Sequence, residues 1–284
     1  MPENTQDIEP HRSSVQKLSA RRFDPAVPHP ARVYDYWLGG KDAHPPDRRA
    51  AEEVIRLRPE VVASARANRS FLARVVRFLA ADCGIRQFLD IGTGLPAPDN
   101  THEVAQDVAP ESRVAYVDND PLVLAHARAL LTSKAAGVCD YIDADLRDPR
   151  TLLREAACVL DFTQPVGVLL LAVLHFLADP DDPAGVVKTL AGALAPGSYL
   201  AISHLTADYA PTGVNAAAAA YNAVAPAPVA VTPRTHEQVT GLFGGLPLLQ
   251  PGLVRVTDWR PASPLPHRQP CDLYAGVAHI PPET

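Results

Sequence analysis

The chain has 284 residues, 47% apolar and 20% charged, enough apolar material for a large core and too much for a chain disordered throughout. A net charge of −6 and an isoelectric point near 5.9 argue against a nucleic-acid groove, which needs a basic face. Cysteines at 83, 139, 158 and 271 show no CxxC spacing, so no metal site or redox pair is expected, and such sparse usage fits a reducing cytoplasm.

Residues 1–22 are polar and charged and read as a flexible tail without the apolar stretch of a signal peptide. Pro30 to Leu38 predicts a short helix ended by Gly39-Gly40, and Pro46 to Arg58 a second. A third opens at Pro59 and carries an apolar stripe, Val61, Val62, Ala65, Leu72, Val75, Val76 and Leu79, towards Gly84. Residues 23–84 are thus expected as an N-terminal helical cap or lid, and 85–284 as the main domain.

Beyond Gly84 short apolar runs alternate with helical stretches. Strands are expected at Gln87–Ile91, Arg113–Val117, Val138–Ile142, Val166–Leu171 and Tyr199–Ser203. Helices separate them: from Asn100, spaced as a capping box with Glu103; from Pro121 to Leu131; from Pro149 to Cys158; and from Pro183 to Leu194. Five alternations predict a doubly wound α/β sheet with right-handed crossovers. The longest apolar run, Val166 to Leu174, is too short to span a bilayer, so no membrane partner is expected. Residues 206–233 break the rhythm; their Pro-rich end predicts an exposed excursion, and Ala216–Ala220 reads either as helix or as compositional drift. A helix from Arg234 to Phe243 follows. Leu253–Trp259 and Leu273–His279 then read as two strands joined by a Pro-rich loop, an antiparallel hairpin at the sheet edge.

The chemistry concentrates in Phe88-Leu89-Asp90-Ile91-Gly92-Thr93-Gly94-Leu95-Pro96, where a strand bearing an acid runs into two glycines. Glycine there lets backbone N–H groups approach a ligand with no Cβ in the way. The next strand ends in Asp118, placed to accept both hydroxyls of a ribose, and the third is followed by Asp145, placed for an exocyclic amine of adenine. Three acids at successive strand ends beside a glycine turn describe an adenosine site. Gly92-x-Gly94-x-x-Ala97 formally fits a dinucleotide fingerprint, so an NAD-linked dehydrogenase is the competing reading. Against it, Asp90 would repel a pyrophosphate and Pro96 removes an N–H that a phosphate would use. S-adenosylmethionine carries an ammonium and a sulfonium instead, and suits an acid-lined crevice.

Five blocks carry a more specific likeness: Ala31 through Asp42; Gln87 through Pro96 with Asn100 through Gln106; Tyr116 through Pro121; Ala144 through Pro149; and Leu174-His175-Phe176. With them the chain resembles, from about Phe23 to His279, the bacterial S-adenosyl methyltransferase family long described as a domain of unknown function. The resemblance implies a seven-stranded class I methyltransferase sheet and S-adenosylmethionine as cofactor, and leaves the acceptor unassigned.

Asp90, Gly92, Thr93 and Gly94 are accordingly assigned to the methionine end of the cofactor, Asp118 and Asn119 to the ribose and adenine, and Asp145 with Leu146 to the adenine. His175, after the fourth strand, reads either as a general base or as a histidine packed beneath the cofactor. His204 has a similar, weaker claim. Tyr34, Tyr36 and Trp37 offer aromatic faces to a sulfonium before a Gly39-Gly40 hinge, with Tyr36 a second catalytic candidate; Tyr34 and Trp37 read equally as the buried face of a short helix. Arg66, Asn68 and Arg69 either line the same mouth or form a solvated helix face. The expected activity is methylation of a small molecule. A non-catalytic sensor of the cofactor or its product is the alternative.

Overall fold

The computed structural model describes residues 24–130, 133–226, 229–261 and 270–282. The expected tail, 1–22, and most of the Pro-rich loop before the last strand lie outside them. Strands β1 (Gln87–Ile91), β2 (Arg113–Asp118), β3 (Val138–Asp143), β4 (Gly167–Leu171) and β5 (Tyr199–Leu205) pair in parallel. The seven strands are ordered β3-β2-β1-β4-β5-β7-β6, where β7 (Leu273–His279) runs antiparallel to β5 and β6 (Val254–Arg255) antiparallel to β7. The sheet is that of a class I methyltransferase, as expected.

Helices cover both faces. Because side chains alternate along a strand, Phe88, Val114, Tyr116 and Leu169 face α3 (Val61–Ala81), α4 (Thr101–Val108) and α5 (Pro121–Leu130). Leu89, Ala115, Val117, Val168 and Leu170 face α6 (Pro149–Ala156), α7 (Pro183–Ala191) and α9 (His236–Leu242). Strands buried on both faces need unbroken apolar runs, and β4 supplies one. Asn100 and Glu103 close the capping box of α4, Asn100 N–H donating to Glu103 Oε2 at 2.8 Å.

One expectation changes. The run 253–259 forms only the two-residue β6, because the chain turns at Arg255–Asp258 and delivers Trp259 into the core. There its ring meets Phe71 and Phe78 edge-to-face at 5.3 and 5.8 Å. Within 206–233, Ala216–Ala220 takes the helical alternative: Pro211–Val224 is a helix, α8, with one face exposed and the other burying Ala217 and Tyr221 against α1 (Pro30–Leu38) and α2 (Pro45–Leu57). Helices α1, α2 and α8 form a third apolar cluster above the carboxyl edge of the sheet, while α3 packs on the sheet itself.

Candidate active site

The strand order reverses between β1 and β4, and in such sheets ligands bind outside the carboxyl ends at that point. A cavity opens there, bounded below by the strand ends and above by α1, α2, α3 and α8, with about 1710 Å³ of empty space counting its open mouth.

All eight residues assigned to the cofactor line this cavity. Asp90 is buried and accepts a 2.6 Å hydrogen bond from the Thr101 hydroxyl. Burial lifts its carboxyl to about 6, against the pull of the Thr101 hydroxyl and Arg69. Gly92 adopts φ +74°, and a Cβ there would overlap the Val173 side chain. The turn's N–H groups do not point at a ligand, contrary to expectation. Gly92 and Thr93 donate to the Val117 carbonyl at 2.8 and 3.3 Å, and Gly94 donates to Asp118 Oδ2 at 2.9 Å. They fasten the turn to β2 and make no phosphate cradle.

Asp118 also accepts from Asp120 N–H at 2.9 Å. Burial raises its carboxyl, opposed by these two N–H groups and by His29. Asp120 caps α5 through Leu122 N–H at 2.9 Å, as its place before Pro121 suggests. Asn119 Nδ2 lies 3.4 Å from Asp145 Oδ2, and Arg147 holds Asp145 from the other side, its backbone N–H at 3.0 Å and Nη1 at 3.3 Å from Oδ1.

The cap is fastened beside these acids. His29, the N-cap of α1, places Nδ1 3.0 Å from Asp120 Oδ2, and buried Arg32 pairs with buried Asp47 at 3.3 Å. Asp47 also accepts from the N–H groups of His29 and His44, both at 2.8 Å. On the next turn Tyr34 and Trp37 face the cavity; Tyr34 donates to the Ala65 carbonyl at 2.9 Å and accepts from Asn68 Nδ2 at 3.1 Å. Tyr36 lies on another face of α1 and donates to Glu52 at 3.0 Å, outside the cavity lining, so its catalytic candidacy is withdrawn. Gly39-Gly40 is a closed helix end: Gly39 takes the left-handed cap, Gly40 N–H reaches the Asp35 carbonyl at 2.9 Å, and a Cβ on Gly40 would overlap the Asp35 carboxylate. Asn68 and Arg69 line the cavity, whereas Arg66 is exposed.

The two histidines differ. His204 is fully buried and outside the cavity lining, its Nδ1 2.7 Å from the Leu205 carbonyl and Nε2 3.1 Å from Arg234. His175 lines the cavity in a single 3₁₀ turn after β4, with Nδ1 accepting from Leu205 N–H at 3.4 Å. That contact leaves the proton on Nε2, and burial lowers the ring's basicity well below that of a free histidine, reinforced by the nearby His204 and Arg234.

Several lining residues escaped the sequence. His29 sits before the expected helix, Arg58 and Asp272 meet across 214 residues, and Tyr221 follows an alanine run. Only Tyr221 left a signal: Val214, Ala217, Ala218 and Tyr221 have the spacing of one helix face.

A family model described as S-adenosyl methyltransferase matches residues 16–281. A DUF574 family protein from Streptomyces avermitilis MA-4680 is 43% identical, aligned over 92% of this chain and 100% of its own, with a TM-score of 0.87. A "putative methyltransferase" from Thermobifida fusca YX is 39% identical over 90% of this chain and 96% of its own, with a TM-score of 0.83. An O-methyltransferase family protein from Burkholderia thailandensis, 17% identical over 85% of this chain and 62% of its own, shares the fold with a TM-score of 0.51. No curated protein matches.

Proposed function

We propose that this chain, which belongs to the S-adenosyl methyltransferase family, methylates a small molecule held between the carboxyl edge of its sheet and its helical cap. One observation carries the reading: a single cavity has carboxylates at three neighbouring strand ends on one side and an apolar helical roof on the other. The same lining joins the acid-bearing strand ends to the apolar face of α8, so a cofactor on the acids and an acceptor under the roof would lie side by side in one cavity.

The donor set suits a cationic nucleoside. Asp90 and the Gly92–Gly94 turn would hold the methionine end, Asp118 and Asn119 the ribose and adenine, and Asp145 with Leu146 the adenine edge. The spent N–H groups of the turn support this reading over a dinucleotide, whose pyrophosphate needs free donors. S-adenosylmethionine bound there supplies an electrophilic methyl group. The protein's part is to align the acceptor with it and exclude water, through the closed roof of α1, α2 and α8. With its proton on Nε2 and little basicity, His175 is assigned as a hydrogen-bond donor that orients the acceptor, not as its base. Of residues 23–84, α1 and α2 act with α8 as a fixed cover, α1 pinned by Arg32 and Asp47, while α3 belongs to the core of the sheet.

The test is turnover. Purified protein with methyl-labelled S-adenosylmethionine and a cell extract is expected to label a small-molecule fraction, and label found only in macromolecules would overturn the proposal.

A further inference from the structure

Helix α3 turns Ala65, Asn68, Arg69 and Leu72 to the cavity, the spacing of one helix face. Ala65 and Leu72 are buried, and Asn68 is tied to the Tyr34 hydroxyl at 3.1 Å and to the Ser203 hydroxyl at 2.6 Å. Arg69 is the residue this packing does not account for. Among the described residues three arginines line the cavity, and two of them hold an acid: Arg58 pairs with Asp272 at 2.8 Å and Arg147 with Asp145 at 3.3 Å. Arg69 has no carboxylate partner among the described residues. Its Nη2 donates to the carbonyls of Pro98 and Asp99 at 2.8 and 3.1 Å, and its Nε is sealed in protein without a hydrogen-bond partner. Pro98 and Asp99 belong to the loop that leads from the glycine turn into α4, so the guanidinium is pinned at the end of the cavity occupied by Asp90 and Gly92–Gly94. Its charge favours the ionised form of Asp90, yet the two side chains do not close on each other as an ion pair. A half-buried guanidinium answered only by carbonyl oxygens calls for an anion.

We infer that Arg69 binds the carboxylate at the methionine end of the cofactor while Asp90 takes the ammonium, so that the protein selects a donor with an intact amino-acid group and discriminates against its decarboxylated form. A cation and an anion that share one end of a cavity without neutralising each other are complementary to a zwitterion. The guanidinium meets a carboxylate through charge-assisted hydrogen bonds, about twice as strong as neutral ones, and the carbonyls of Pro98 and Asp99 hold it in place beforehand. The inference rests on the cofactor reading above and adds a contact from α3 to the strand-end acids. An acid group on the acceptor is the other carboxylate that Arg69 could receive, and the experiment separates the two.

The experiment titrates three ligands by calorimetry: S-adenosylhomocysteine, its decarboxylated analogue S-adenosyl-3-thiopropylamine, and benzoate, the last into protein already saturated with S-adenosylhomocysteine. Wild type is expected to bind S-adenosylhomocysteine at least about ten-fold more tightly than the decarboxylated analogue. Arg69→Met should weaken S-adenosylhomocysteine by at least about ten-fold and leave the decarboxylated analogue within about two-fold, so that the preference disappears. Equal affinity of wild type for the two nucleosides overturns the inference without recourse to any variant. Equal weakening of both by Arg69→Met also overturns it, since that is the signature of a residue that only fastens the loop. Benzoate bound by the saturated wild type and lost in Arg69→Met would assign the guanidinium to the acceptor and overturn it as well. Wild-type protein that binds neither nucleoside would refute the cofactor reading itself, a result distinct from these.

Discussion

Asp90 shows how one side chain trades stability for binding. Its carboxyl, lifted from 3.8 to about 6 by burial, is easiest to keep protonated. The stability it contributes to the ligand-free protein is therefore fully present below the free value and lost as pH rises through about 6. The ammonium of the cofactor favours the ionised form, so binding should move the other way. We predict that S-adenosylhomocysteine affinity rises between pH 5 and pH 7, while that of adenosine, which lacks the ammonium, stays flat; parallel curves would remove Asp90 from the methionine end. Asp90→Asn should raise the melting temperature of the free protein above pH 7 and cost at least about ten-fold in affinity for S-adenosylhomocysteine. The acids were legible because strand alternation and a glycine turn fix where they point. The fate of Tyr36 was not: three aromatics within four residues of a helix necessarily face different ways, and only the packing of α2 decides which.

At the scale of elements, the glycine turn and the cap are the two devices that build the cavity. Gly92 combines a positive φ with a wall of Val173 against its missing side chain. Gly92→Ala should therefore destabilise the protein by about 2 kcal/mol or more and abolish cofactor binding, read by urea unfolding and calorimetry. The cap depends on Asp47, which holds Arg32 and the backbone at the starts of α1 and α2. Removing one partner of a buried ion pair strands the other, so Asp47→Ala should cost about 3 kcal/mol; a loss under 1 kcal/mol would show that α1 is held by apolar contacts alone. No sequence pattern announces this pin, because its partners His29, Arg32, Asp47 and Asp120 come from three elements and have no shared spacing. Helix α8 was half legible. Its alanine run carries little information, yet the 214, 217, 218 and 221 spacing marks its buried face.

For the molecule as a whole, alternation alone specified the five parallel strands and hence the switch point where the cavity lies. The end of the sheet was less legible, since the apolar run before Trp259 serves a core side chain and not a long strand. Burial of that ring against α3 ties the first and last thirds of the chain together, so the cavity's roof and floor belong to one folded unit. Ligand preference should follow from this architecture. Saturating S-adenosylhomocysteine, at about 100 times its dissociation constant, should stabilise the protein by about 2.7 kcal/mol, and NAD should leave the melting temperature unchanged. The central claim is that carboxylates at neighbouring strand ends hold the cofactor, and Asp118 is its most exposed point. Calorimetric titration of S-adenosylhomocysteine into wild type and Asp118→Ala tests it directly. The account predicts at least about ten-fold weaker binding by a variant that still unfolds cooperatively, and equal affinity in the two proteins would contradict it.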